Sequence, residues 1–180
     1  MSGEDPEPGM ETKGRFMKIA VMSDSHDHLD NITAAVDTAM KRGAGTLVHC
    51  GDMVSPFVVD RLANFGGQVH AVFGNNDGDR FTLSKITERF PNVVLHGHIG
   101  TIEAGGGLVA FTHYPEFGRG LAATGEYVAV FSGHTHTARS EDVGGVLHLN
   151  PGEIMGLLEK PSMAVWDSGT GEVERIVLDL

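Results

Sequence analysis

The chain has 180 residues, 41% hydrophobic and 21% charged, a size and balance that permit one domain with a full apolar core. Its 13 basic against 24 acidic residues give a formal charge of −11, which argues against a broad basic surface for long nucleic acid or an anionic membrane. Cys50 is the only cysteine, so no internal disulfide can form and a reducing, cytoplasmic location is expected; no apolar run approaches the ~20 residues of a membrane span.

The first 15 residues, MSGEDPEPGMETKGR, are polar, rich in Pro and Gly, and lack the apolar centre of a signal peptide. They read as a disordered extension, with residues 16–180 as a single domain. The apolar run ending at Met22 stops at Ser-Asp-Ser, as a buried strand would. Asp30 is placed to cap a helix over NITAAVDTAMKRG, whose Ile32, Ala35, Val36 and Ala39 recur at helical spacing before Gly43. TLVHC (46–50) predicts a second strand and PFVVDRLANFGG (56–67) a second helix, with Pro first and Gly last. QVHAVFG predicts a third strand and DRFTLSKITERF a third helix. Alternation of this kind implies a parallel sheet.

Beyond about residue 91 short strands crowd together: VVLHG, HIGTIEA, LVAFTH, YVAVFSG, VLHLN, MAVWD and VERIVLD, with only EFGRGLAATG (116–125) helical among them. This half reads as a largely antiparallel sheet, and the assembly as two packed sheets with helices outside.

Strand ends carry the chemistry, since ligands of open α/β sheets bind beyond the carboxyl ends of the strands. The first strand runs into Asp24 and His26, the second into Asp52, the third into Asn75, Asn76 and Asp77. Two later strands run into His113 and into His134 and His136. Residues i and i+2 of an extended segment project to one side, so Asp24 with His26, and His134 with His136, can each enter one cavity. Judged singly, each residue has a bland reading as a helix cap, turn former or packed histidine. Jointly they offer imidazoles, carboxylates and an amide carbonyl, too many donors for one tetrahedral zinc and without the thiolates of a structural site. The set suits two divalent ions sharing a bridging carboxylate.

The series D-x-H (24, 26), G-D (51, 52), G-N-x-D (74–77), H (113) and G-H-x-H (133–136) resembles the calcineurin-like metallophosphoesterase superfamily. The strings SDSHDHLDNI, HCGDMVSPF, GNNDGDR and NPGE resemble its YfcE-like phosphodiesterase branch. The resemblance runs over roughly residues 17 to 179. It implies a four-layer α/β/β/α sandwich, two mixed sheets flanked by helices, around a di-metal centre. Carried over by position, Asp24, His26 and His136 would hold the first metal and Asn75, His113 and His134 the second, with Asp52 bridging. The implied activity is hydrolysis of small phosphodiesters by a metal-bridging hydroxide attacking phosphorus in line, with Mn²⁺ the foremost occupant and Fe, Co, Ni or Zn compatible. Asp52, Asn75 and His113 are the residues expected closest to the reaction.

Two positions depart from the wider superfamily. Asn76 stands where many members have a proton-donating His, and an amide cannot deliver a proton near neutral pH; diesters with good leaving groups are therefore expected over alkyl monoesters. Tyr114 and Pro115 stand where relatives often read Gly-His, which makes that loop bulkier. Among the remaining residues His28, Arg80 and Arg119 are candidates for substrate contact. Asp77 is expected to anchor a metal-ligating His from behind. His49, His70 and His148 are expected to be packing residues, and EAGGGLV a hairpin turn. The competing functions are a binding scaffold on the same fold, like the small subunit of retromer, and a nuclease, which the acidic balance disfavours. A homo-oligomer is compatible with the sequence.

Overall fold

A computed structural model describes residues 16–179; the expected N-terminal extension falls outside them. The first half alternates as anticipated: β1 (Lys18–Met22), α1 (Leu29–Lys41), β2 (Thr46–His49), α2 (Phe57–Leu62), β3 (Gln68–Ala71), α3 (Arg80–Thr87) and β4 (Val93–Leu95). The second half comprises β5 (Ile99–Ala104), β6 (Gly107–Thr112), α4 (Pro115–Ala123), β7 (Tyr127–Phe131), β8 (Arg139–Val143), β9 (Val146–Asn150), β10 (Ser162–Asp167) and β11 (Val173–Val177). The first sheet has the order β11-β10-β1-β2-β3-β4 and the second β5-β6-β7-β9-β8. Among the described residues no helix is long and apolar enough to cross a membrane.

Both sheets are mixed. β1 to β4 run parallel, and β10 and β11 join antiparallel at the other edge. In the second sheet β6, β7 and β9 are mutually parallel, with antiparallel β5 and β8 at the edges. That corrects the largely antiparallel reading of this half. The reason is α4, a crossover that returns the chain to the same end of the sheet, which a tight hairpin cannot do. β8 was not anticipated, because Arg-Ser-Glu-Asp-Val is a polar edge strand with little apolar alternation.

Alternation along the inner strands sorts the core into layers. Ala20, Met22 and Leu47 face α1, α2 and α3, where Ile32, Ala35, Val36, Val58, Leu62 and Leu83 meet them. Ile19, Val21, Val48 and Cys50 face the other way and meet Val109, Phe111, Phe131 and Trp166 between the sheets. Ala110 and Val130 turn outward again to Ala122 of α4. The central strands are thus buried on both faces, which is why they read as unbroken apolar runs. Each fully buried large side chain contributes about 1.5–3 kcal/mol. The result is the expected four-layer α/β/β/α sandwich, with the strand tips of both sheets gathered at one end.

α1 begins at Leu29 with His28 as its N-cap, so Asp30 lies in the first turn rather than at the cap. Asp79 does cap α3, accepting the N–H of Thr82 at 3.0 Å.

Candidate metal centre

The tips of β1, β2, β3, β6 and β7 bring all seven anticipated donor residues together. The backbone first sets their direction. Asp24 (φ 53°), His26 (40°), Asp52 (58°), His134 (71°) and His136 (62°) all occupy the left-handed region, which non-glycine residues rarely adopt. Val54, β-branched and at φ 81°, is the clearest outlier. The loops are held in these conformations by mutual hydrogen bonds: Asp24 N–H donates to Gly51 O at 3.0 Å, and the N–H groups of Ser25 and His26 both donate to Asp52 O at 3.1 Å. Glycine is required where these loops press closest. A Cβ on Gly74 would strike the carboxylate of Asp52, and one on Gly133 would strike the Ser23 hydroxyl and lie 2.8 Å from Asp24 Oδ2.

His113 is buried and its Nδ1 lies 2.8 Å from the carbonyl of Cys50. A carbonyl only accepts, so Nδ1 carries the proton and Nε2 presents a lone pair. That lone pair faces Asn75 Oδ1 at 2.9 Å, His134 Nδ1 at 3.2 Å and Asp52 Oδ2 at 3.5 Å. His136 repeats the arrangement: Nδ1–H donates to Glu153 Oε2 at 2.6 Å, and Nε2 lies 3.5 Å from Asp24 Oδ1. His26 Nε2 lies 3.4 Å from Asp52 Oδ2. The rings of His26 and His136 are 5.3 Å apart, those of His113 and His134 5.0 Å.

Acceptors pointed at acceptors repel one another unless a cation stands between them. Buried Asp24 Oδ1 and His26 Nε2 have no hydrogen-bond partner, a costly condition for polar atoms without a further ligand. Two groups of donor atoms cluster within 4.8 Å of one another: Asp24 with His26 and His136, and Asp24 with Asp52 and His113. The donor chemistry therefore fits divalent cations of intermediate hardness. Asp24 is common to both groups, and its Oδ2 also accepts the backbone N–H of His134 at 2.9 Å.

The electrostatics follow from burial and contact. Burial pushes the Asp24 carboxyl above its usual range, although Ser23, His113 and His136 act against this. Burial acts the same way on Asp52, but the adjacent His26 and the hydrogen bonds from Asn76 outweigh it and hold that carboxyl well below its usual range. His26 is raised by its contact with Asp52.

Several supporting residues lay beyond sequence reasoning. Glu153, fully buried just past β9, orients His136 and also accepts the N–H of Glu159 at 2.7 Å. The NPGE string marks its place, but nothing in the spacing shows that it reaches back to His136. Asn150 steadies the same loop, donating to Gly133 O at 2.7 Å and Thr135 Oγ1 at 3.0 Å. Asp77 does not anchor a histidine, as anticipated. Its carboxylate collects the backbone N–H groups of Asp52 (3.0 Å), Val54 (2.7 Å) and Gly74 (2.7 Å), tying the β2 and β3 tips together.

The anticipated substrate contacts fare differently. Arg80 is turned onto the protein, donating to Gly74 O and Asp77 O at 3.1 Å and lying over the Phe73 ring. Arg119 pairs with Glu141 at 3.6 Å and lines a cavity of about 360 Å³ between α4 and β8–β9, which none of the seven donor residues lines. His28 is exposed at the head of α1. His49, His70 and His148 are all hydrogen-bonded, to Ser25, His96 and Ser132 respectively. Gly105 and Gly106 form the anticipated hairpin turn.

Comparison with known proteins places this geometry in a family. Residues 17–171 match the calcineurin-like phosphoesterase superfamily domain. A phosphodiesterase of Methanocaldococcus jannaschii is 34% identical over 166 residues, covering 91% of this chain and all of that protein. The structure of an archaeal phosphodiesterase superposes with a TM-score of 0.84 at 34% identity, covering 90% of this chain and all of that one. The phosphoesterase YfcE of E. coli shares the fold at TM-score 0.62 and 19% identity, with 91% of this chain and 100% of that chain covered. The chain thus belongs to the calcineurin-like phosphoesterases, a superfamily of metal-dependent hydrolases.

Proposed function

We propose that this protein is a phosphodiesterase that hydrolyses small phosphodiesters with two divalent ions. Asp24, His26 and His136 would hold one ion, Asn75, His113 and His134 the other, and Asp52 would be shared. The observation that carries this reading is the convergence of Asn75 Oδ1, His134 Nδ1 and Asp52 Oδ2 on His113 Nε2, at separations of 2.9–3.5 Å. The similarity to an archaeal phosphodiesterase over nearly the whole chain supports the substrate class. Mn²⁺ is the foremost occupant, and Fe, Co, Ni and Zn suit the same donors.

Bound divalent ions supply two things here: neutralisation of phosphoryl charge and acidification of water near neutral pH. The protein's own contribution is position. Cys50 O and Glu153 fix the tautomers of His113 and His136, so that their Nε2 lone pairs point inward. Asn76 fixes Asp52, donating from its backbone to Oδ1 at 2.8 Å and from its side chain to Oδ2 at 2.7 Å. Asn76 offers no acid to a leaving group, so substrates whose leaving group departs without a proton are favoured. The net charge of −11 opposes long nucleic acid as substrate. The complete donor set favours an enzyme over a scaffold.

The test is to strip the protein with chelator, restore Mn²⁺, Fe²⁺, Co²⁺, Ni²⁺ or Zn²⁺ singly, and assay small diesters and monoesters. Restoration of diester cleavage is expected. Failure of every ion to restore it overturns the reading.

A further inference from the structure

Two aromatic side chains beside the donor cluster take no part in holding ions. Tyr114 follows His113 directly, and its ring centroid lies 5.1 Å from that of His113, 5.1 Å from that of His134 and 5.5 Å from that of Phe117. All three contacts are edge-on, with interplanar angles of 75°, 62° and 70°. The backbone of Tyr114 is restricted. It is extended (φ −85°, ψ 125°), and Pro115 opens α4 immediately after it, which restricts the preceding residue to that region.

Phe117 is three residues further on, on the same side of the first turn of α4. It is 57% exposed, while the residues that α4 buries against the sheet are Gly118 and Ala122. Phe117 therefore does not serve the core. A single exposed aromatic is unremarkable in a folded protein, but this one packs on a ring that itself packs on two imidazoles of the candidate centre.

We propose that Tyr114 and Phe117 form a stacking platform that selects phosphodiesters bearing a planar aromatic group on one ester oxygen. The proposal rests on the diesterase reading of the adjacent cluster and adds the identity of the ester substituent. The donor cluster addresses only the charged phosphoryl group. The flank beside His113 and His134 offers aromatic surface instead. An alkyl arm would gain contact area there, whereas a planar ring gains offset stacking as well. The aromatic group could be a simple aryl ring or a nucleobase, since both present a π-face.

The experiment uses the Mn²⁺-loaded full chain and methylphosphonate monoesters, monoanions that mimic a diester. Binding of the phenyl, ethyl and 5′-adenosyl esters is measured by calorimetry for wild type, Tyr114→Ala, Phe117→Ala and Tyr114→Phe. The phenyl ester should bind wild type about tenfold more tightly than the ethyl ester. Tyr114→Ala and Phe117→Ala should bring that ratio below about threefold, while Tyr114→Phe keeps it. Adenosyl binding as tight as phenyl assigns the platform to nucleobases, and weaker binding assigns it to simple aryl groups. Equal phenyl and ethyl affinities in wild type, a preference that survives both alanine variants, or no binding of any ester would overturn the platform. A phenyl preference in a protein that cleaves no diester would leave the platform standing and remove the diesterase reading.

Discussion

Asn76 grips both oxygens of Asp52, Oδ1 through its backbone N–H at 2.8 Å and Oδ2 through its side-chain amide at 2.7 Å. The position that the family resemblance would assign to a proton donor is thus given over to holding a carboxylate. Asn76→Ala should lower diester turnover about 10–100-fold, the usual penalty for loosening a ligand's support. Asn76→His should instead raise the ratio of monoester to diester turnover by at least about tenfold, because an imidazolium can protonate an alkoxide. Steady-state assays of one diester and one monoester on both variants check the pair.

Asp52 touches donors of both proposed ion positions. Asp52→Asn should reduce diester turnover more than a supporting-residue change does, by over about a hundredfold. His134→Ala should act likewise. His134 is exposed, so circular dichroism and the melting temperature of its chelator-treated form should match wild type. Near-normal turnover in either variant would contradict the assigned ligands.

Glu153 is buried, and it meets the proposed ligands only at His136 Nδ1, while its other oxygen accepts the N–H groups of Leu158 and Glu159. Glu153→Gln should weaken ion affinity about 10–100-fold, read by competition with a chelating dye. Asn75, His113 and His134, assigned to the other ion, do not rest on Glu153, so the loss should be confined to one of two ions per chain. Metal stoichiometry falling from two towards one is the expected signature.

Gly133 and Gly120 make opposite cases for the same substitution. Gly133→Ala would drive a methyl group into the Ser23 hydroxyl and should destabilise the chelator-treated protein by about 1–3 kcal/mol. Gly120 lies within α4 with nothing near its missing Cβ, so Gly120→Ala should stabilise by about 0.4–1 kcal/mol. Urea titrations of both variants decide the matter.

His49 is fully buried, accepts the N–H of Gly51 on Nδ1 at 3.2 Å and lies 3.0 Å from Ser25 Oγ through Nε2. Burial pushes its pKa down to about 3, and a proton on Nδ1 would also displace the Gly51 bond. The unfolded chain, with a histidine near 6.5, binds more protons than the folded one between those values. Stability is therefore complete above about pH 6.5 and declines as pH falls towards 3. His49→Gln should flatten this decline in metal-free thermal melts between pH 7 and pH 4, at a cost in stability at neutral pH.

How much of this was readable beforehand depends on what kind of signal each part leaves. The donors were legible because each is a chemically distinctive residue placed just past an apolar run, and because five such ends occur in order. Glu153 was not, since its partner His136 is 17 positions away and only tertiary folding brings them together. Asp77 was recognised as a support but given the wrong partner, because backbone N–H groups leave no trace in a sequence. β8 was missed for its polarity. The parallel β6–β7–β9 core was misjudged although α4 was foreseen, because the closely spaced short strands around that helix read as antiparallel neighbours.

The donors divide between the sheets: Asp24, His26, Asp52 and Asn75 follow strands of the first, His113, His134 and His136 strands of the second. Ions held by this set would rivet one half of the sandwich to the other at the strand tips, past the end of the apolar interior that Phe111 and Trp166 fill. Each proposed ion draws donors from both halves. Chelation should accordingly loosen the molecule along the line where its two sheets meet, leaving the hydrogen-bonded ladders within each sheet untouched.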